Sequence, residues 1–203
     1  YTSPGTNADG TVGHGLSQAP EMVLVKNLDS AYNWDVWTPA LTSGYDLRLN
    51  TTDGQTAGRW STTIPSASLV TLKNTYEVNG TDDYMAYCFH SVEGYSKVGS
   101  FVGNGNADGT FIYTGFKPAF LICKRIDGDD WMMLDDVRSP YNQMILSLAA
   151  NDDKAEISAS GKAVDFCSNG IKMRNADNGL NKSTITFIYI AFAESPFKTS
   201  NAQ

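Results

Sequence analysis

The chain has 203 residues, 41% hydrophobic and 18% charged, which excludes disorder and fits one large β domain or two small ones of about a hundred residues. Its net charge of −7 excludes nucleic acid and an anionic membrane surface as partners, because both require a basic face. The longest apolar run, near Ile185–Ala193, is too short for a membrane-spanning helix. Abundant Gly, Thr, Ser and Asn, with ten Tyr, point to strands joined by tight turns. The sequence opens on Tyr1 without a Met, and we expect a processed or partial piece of something longer.

Near the start, Asn7-Ala8-Asp9-Gly10-Thr11 is a turn signal, and the same pentapeptide returns as Asn106-Ala107-Asp108-Gly109-Thr110. The chain is therefore one module written twice, divided here into repeats 1–99 and 100–203. Asn and Asp bond their own backbone two residues on, and Gly tolerates positive φ, so the repeated turn reads first as architecture. A sugar or cation role is its alternative, since short Asn/Asp loops also serve such sites.

Pro20 opens the strand run Met22–Asn27, and Pro118 opens its counterpart Phe120–Arg125. Each run passes through an Asp-bearing turn to a Trp, Trp34 or Trp131, as an antiparallel hairpin. Trp34 and Val36 share a face, as do Trp131 and Met133. Tyr45–Asn50 alternates apolar and polar residues and predicts a half-buried strand; its counterpart Tyr141–Ala150 resembles a short helix by propensity, and the first copy argues for a strand. Gln55–Asn74 and Lys154–Arg174 diverge most, each predicted to hold a loop and one strand. Val164-Asp165-Phe166 before Ser168-Asn169-Gly170 suggests strand then turn. The closing runs Tyr84–Phe89 and Tyr189–Glu194 are continuously apolar and predict central strands buried on both faces. No linker separates the copies: Val92–Ser100 leads straight into Phe101. The expected fold is all-β, two tandem, closely coupled antiparallel β-sandwich repeats that share a sheet or pack face to face.

Candidate chemistry is sparse. Cys88, Cys123 and Cys167 lack metal-type spacing and read as buried filler. His14 and His90 form no compelling triad and read as turn or surface contacts. Asp127, Asp129 and Asp130 cluster with Asp135 and Asp136 around one hairpin, an oxygen-rich set that suits Ca²⁺ or else a solvated acidic loop. No other cofactor is expected. Trp34 and Trp131 recur and are assigned to the core. Trp37 aligns near Leu134 and Trp60 has no partner, so these two are candidates for stacking on a sugar ring or a partner, with local packing the competing assignment. Asn50, Asn79 and Asn181 begin glycosylation sequons that we expect to be inert chance matches.

Several segments carry a resemblance. They are Val12–Leu16, Ala19–Val23, Leu47–Thr52, Ala86–Phe89, Val92–Lys97, Tyr113–Phe120 and the ending Ala191–Lys198. They resemble a concanavalin- or jelly-roll-like β-sandwich module found at the C-terminal end of virion and tail-fibre-like proteins of marine bacteriophages. Val92–Lys97, Tyr113–Phe120 and the ending are the most specific. The resemblance covers essentially the whole chain, and departs from it in the short acidic loop Asp127–Asp130 and the long approach Asn178–Ser183. It implies a non-enzymatic module on the virion surface, assembled in the bacterial cytoplasm, that adheres to a host glycan or receptor. It also implies other virion proteins as partners and a homo-oligomer. The alternatives are a structural virion subunit (capsid decoration or fibre assembly) and a polysaccharide-degrading tailspike domain.

Overall fold

The turn-bounded apolar runs become strands wherever a neighbour can satisfy their backbone groups. The computed structural model of the chain describes residues 1–3 and 8–196; Asn7 and the Phe197-Lys198 ending lie outside the described residues. The chain divides into two compact units, Tyr1–His90 and Ser91–Gln203. The first holds β1 (Gly10–Gly13), β2 (Met22–Asn27), β3 (Trp34–Trp37), β4 (Tyr45–Arg48), β5 (Thr56–Ala57), β6 (Leu69–Leu72) and β7 (Tyr84–Phe89). The second holds β8 (Ser96–Val102), β9 (Phe111–Tyr113), β10 (Pro118–Arg125), β11 (Met132–Asp135), β12 (Leu146–Ala149), β13 (Ile157–Ser158), β14 (Val164–Cys167), β15 (Gly170–Met173), the one-turn helix α1 (Asn178–Asn181) and β16 (Thr186–Ala193). No helix among the described residues is long and apolar enough to cross a membrane.

The two units share a strand order. Unit 1 has the sheet order β5-β4-β3-β2-β7 beside a β1-β6 pair; unit 2 has β13-β12-β11-β10-β16-β8 beside β14-β15-β9. Removing β8 and β14 leaves the same order in both, and every described ladder is antiparallel. Within each unit, side chains of both sheets meet in one core. Val23, Val25 and Trp37 meet Val70 and Leu72 in unit 1; Leu121, Cys123, Leu134 and Phe187 meet Ile112, Phe166 and Ile171 in unit 2.

Register pairs the copies residue by residue. Val23 lies opposite Trp37, and Leu121 opposite Leu134. Trp34 therefore corresponds to Trp131 and Trp37 to Leu134, as the spacing predicts. Laying Tyr84–Phe89 on Tyr189–Glu194 end to end sets Cys88 on Ala193, but Val23 faces Cys88 and Leu121 faces Ala191, so Cys88 corresponds to Ala191.

Other expectations change as well. Ser96–Val102 is one continuous strand along β16, so the repeat boundary at residues 99 and 100 cuts through a strand and the division falls at His90. Strand β16 lies between β10 and β8, central as predicted, but β7 ends its sheet and exposes Met85 and Tyr87. In β4 the alternation places Asp46 and Arg48, not Leu47, on the face shared with Trp37, because Trp37 pairs opposite Asp46 in register with Val36 opposite Leu47. Tyr141–Ala150 does contain a strand, β12, and Lys154–Arg174 contains the hairpin β14-β15 besides β13. Cys123 is buried and Cys88 and Cys167 are half-buried; all three are free thiols.

Candidate functional site

The sites expected from sequence come first. Trp37 and Trp60 are buried and stacked on each other, ring centroids 5.9 Å apart and 10° from parallel. They present no face to a ligand, which corrects their assignment as binding residues. Trp60 bridges to Leu72 of β6, the place that Val164 takes beside Met173 in unit 2. The Trp37/Trp60 pair thus fills core volume that Leu134 and Val164 fill in the other copy, so a residue can lack a counterpart and still be core. Trp131 is buried as expected; Trp34 is only partly buried and stacks on exposed Tyr87 at 6.2 Å.

The acidic loop is occupied by the protein's own cations. Asp127 pairs with Arg125 at 3.0 Å and Lys182 at 2.6 Å, Asp129 with Arg125 at 3.4 Å, and Asp130 accepts from Asn151 at 2.8 Å. Beneath the loop, fully buried Lys124 donates to the Asp129 carbonyl and lies 5.6 Å from the centre of the Trp131 ring. Among the described residues no group of three or more His, Cys, Asp or Glu is placed to hold a metal ion. The loop closes on itself as a salt-bridged cap, which leaves the Ca²⁺ candidate without a ligand set.

The repeated pentapeptide is wired into the fold. Asn106 accepts from the Asp108 amide at 2.9 Å and Asn104 from the Asn106 amide at 3.0 Å, two consecutive Asx turns. Buried Asn181 reaches the Asn106 carbonyl at 2.9 Å, and buried Asn79 reaches the Ala8 carbonyl at 3.4 Å. Two of the three sequon asparagines are therefore equivalent core hydrogen-bonding residues. Their shared place just before each closing strand was the sequence signal. The histidines sit in turn contacts: His14 accepts from the Leu16 amide at 3.1 Å, and His90 meets Gln18 at 2.6 Å.

Sequence reasoning did not single out a carboxyl pair in unit 1. Asp35 and Asp46 are fully buried on the Trp37 face; no other described residue donates a hydrogen bond to their four carboxyl oxygens, and the two carboxyls share one with each other when Asp35 is protonated. Arg59 stands 3.7 Å from Asp46 and also holds Glu77 at 3.3 Å. Burial, with the neighbouring Asp46 second, pushes Asp35 up to about 8, and burial raises Asp46 as well. Unit 2 has Met132 and Ser147 at these register positions. The pair is closed to solvent in this conformation and reaches no substrate.

Among the described residues, a groove of about 410 Å³ open to solvent is lined by Ser91, Val92, Glu93, Ser96, Lys97, Tyr113, Thr114 and Gly115. One wall is a tight turn before β8: the Tyr95 and Ser96 amides both donate to the Val92 carbonyl at 3.0 Å, and Gly94 sits at φ 71°. The other wall follows β9, where the Thr114 and Gly115 amides donate to the Asn169 carbonyl at 3.1 and 3.2 Å. Gly115 at φ 85° permits that turn. Both walls are held by backbone hydrogen bonds, so the groove is pre-formed. Tyr113 is 66% exposed, and Glu93 and Lys97 have no ion-pair partner among the described residues. The Ser91 and Thr114 hydroxyls are bonded to backbone groups of the walls, and the exposed aromatic face flanked by an acceptor and a donor suits a polyhydroxylated ligand.

No curated protein and no solved structure matches the chain. Residues 1–196, spanning both units, match the family described as a domain of unknown function (DUF7483), and the chain belongs to that family.

Proposed function

We propose that the chain is a non-enzymatic module of a bacteriophage virion or tail fibre, built of two β-sandwich repeats, that adheres to a glycan or receptor on the host surface through the Glu93–Lys97–Tyr113 groove. One observation carries this reading: the segments of the resemblance that are both most specific and described, Val92–Lys97 and Tyr113–Phe120, supply nearly all of the groove's lining. Tyr113 stacks on a sugar ring, Glu93 accepts from ring hydroxyls and Lys97 donates to them. The binding surface lies outside the cell, and the cavity's modest size suits one or two sugar units presented in many copies by a homo-oligomeric virion part. The open edge of β7 favours the second reading, a structural subunit held by strand pairing to other virion proteins.

The test is binding of the full chain to a panel of bacterial lipopolysaccharide and capsular oligosaccharides. Tyr113→Ala is expected to weaken the best binder about tenfold, near 1.4 kcal/mol, and Glu93→Gln several-fold, with the fold intact by circular dichroism. Affinities that do not move on either substitution would falsify the groove assignment. Release of reducing sugar from those polysaccharides would overturn the non-enzymatic reading.

A further inference from the structure

The two units differ at one sheet edge. In unit 2, β8 runs antiparallel along β16, with Phe101 opposite Phe187, Gly99 opposite Tyr189 and Lys97 opposite Ala191. In unit 1 the corresponding strand is β7, and Tyr84 takes the place of Phe187. Tyr1 stands where Phe101 stands. It exchanges both backbone hydrogen bonds with Tyr84 at 2.8 Å. Its ring stacks on Tyr84 at 5.2 Å and 14°, as Phe101 stacks on Phe187 at 4.9 Å and 11°. Thr2 then bridges Asp83, and the Ser3 amide donates to the Asp82 carbonyl at 3.3 Å.

The pairing of Tyr84 with Tyr1 fixes which groups face outward. Backbone groups alternate between the two sides of a strand. Those of Met85, Tyr87 and Phe89 serve β2, and those of Ala86 and Cys88 point the other way, where no described residue meets them. Tyr189 and Ala191, their counterparts in unit 2, pair with β8.

We propose that Ala86–Cys88 of β7 is an acceptor edge that takes a further antiparallel polypeptide strand delivered in line with Tyr1, as Ser96–Ser100 lies against β16. The strand's chemistry follows from the side chains it meets. In β8 the residue opposite Tyr189 is Gly99, where a Cβ would come within 2.9 Å of the Tyr189 hydroxyl. Opposite Ala86 the small methyl removes that restriction, so the incoming strand carries an apolar side chain there, against the Tyr1 and Tyr84 rings. Its next inward residue packs over the half-buried thiol of Cys88. This inference is independent of the groove.

The experiment is backbone amide exchange, by NMR, of the full chain with the sequence Ser-Val-Lys-Val-Ser joined ahead of Tyr1, which sets one Val opposite Ala86 and the other opposite Cys88. We expect the Ala86 and Cys88 amides to slow at least about tenfold, while Met85 and Tyr87, already bonded to β2, stay unchanged. A control with proline at both Val positions of the added segment loses the slowing, because proline has no N–H to donate. Unchanged exchange at Ala86 and Cys88 in an otherwise native spectrum overturns the proposal, as does slowing that survives the proline control. Slowing in the unextended chain that grows with protein concentration assigns the edge to a second copy and also overturns it.

Discussion

At the scale of single residues, recurrence was an unreliable guide to burial. Trp34 recurs and lies half in solvent; Trp60 does not recur and is among the largest fully buried side chains. A core conserves volume, not identity, and Trp37 with Trp60 can be matched by Leu134 with Val164 once neighbouring side chains adjust. Alternation along β4 misled for a related reason: it shows that residues alternate, not which face meets the other sheet. The Asx turn of the second pentapeptide was legible, because it needs only local backbone and the Asn side chain. Trp60→Ala is expected to lower the stability of unit 1 by about 3–5 kcal/mol through loss of the ring and the cavity left beside Trp37. Oligosaccharide binding by the folded fraction stays unchanged. Calorimetry and the binding panel measure the two halves separately, and a melting temperature equal to that of the parent chain places the ring outside the core.

At the scale of elements, strand runs, the hairpins after Pro20 and Pro118 and the turn before β15 were all legible, since apolar alternation and turn residues are local signals. Pairing partners were not. Nothing local distinguishes β16, flanked on both sides, from β7 at the end of its sheet; the difference is whether another stretch of chain lies alongside. The groove shares that origin: its walls come from two turns separated in sequence, and only the ladders β16-β8 and β15-β9 bring them together. The repeated turn offers a comparison within one molecule. A Cβ on Gly109 would lie 2.6 Å from the Met173 carbonyl oxygen, which is backbone and cannot yield, and 2.7 Å from the Asn181 amide. The three atoms nearest a Cβ on Gly10 all belong to the Asn79 side chain, the first at 3.0 Å. Gly109→Ala is therefore expected to destabilise unit 2 by about 2 kcal/mol or more, and Gly10→Ala to cost unit 1 less than about 1 kcal/mol, because a side-chain amide can shift. Chemical denaturation of the two variants ranks them; equal losses would mean that the two turns are not packed as described.

At the scale of the whole molecule, the two units share a strand order and carry different charges inside. Unit 1 buries Asp35 and Asp46 where unit 2 buries Met132 and Ser147. The groups facing this pair are Arg59, Arg48 and Glu77. Arg59 is shared between Asp46 and Glu77, so it does not neutralise the pair alone. Two buried carboxyls that have only each other to share a proton with do not both ionise in such a site, and Asp35 holds its proton up to about 8, against an ordinary carboxylate value of 3.8. The sign follows from proton linkage. Above the ordinary value the unfolded chain has released this proton and the folded unit has kept it, so each rise in pH favours unfolding until the folded group also ionises. Below the ordinary value both states are protonated and the slope vanishes. The stability of unit 1 should therefore fall as pH rises through the window between 3.8 and about 8, and level off above it. Unit 2 has no counterpart to this pair and should lack this contribution. Residue-resolved amide exchange across that range separates the units without cutting the chain: protection in β2 and β3 declines relative to that in β10 and β11. Asp35→Asn, neutral at every pH, should flatten the decline in β2 and β3 and leave β10 and β11 as they were. A decline of equal steepness in the variant and the parent would move its origin away from the Asp35–Asp46 pair.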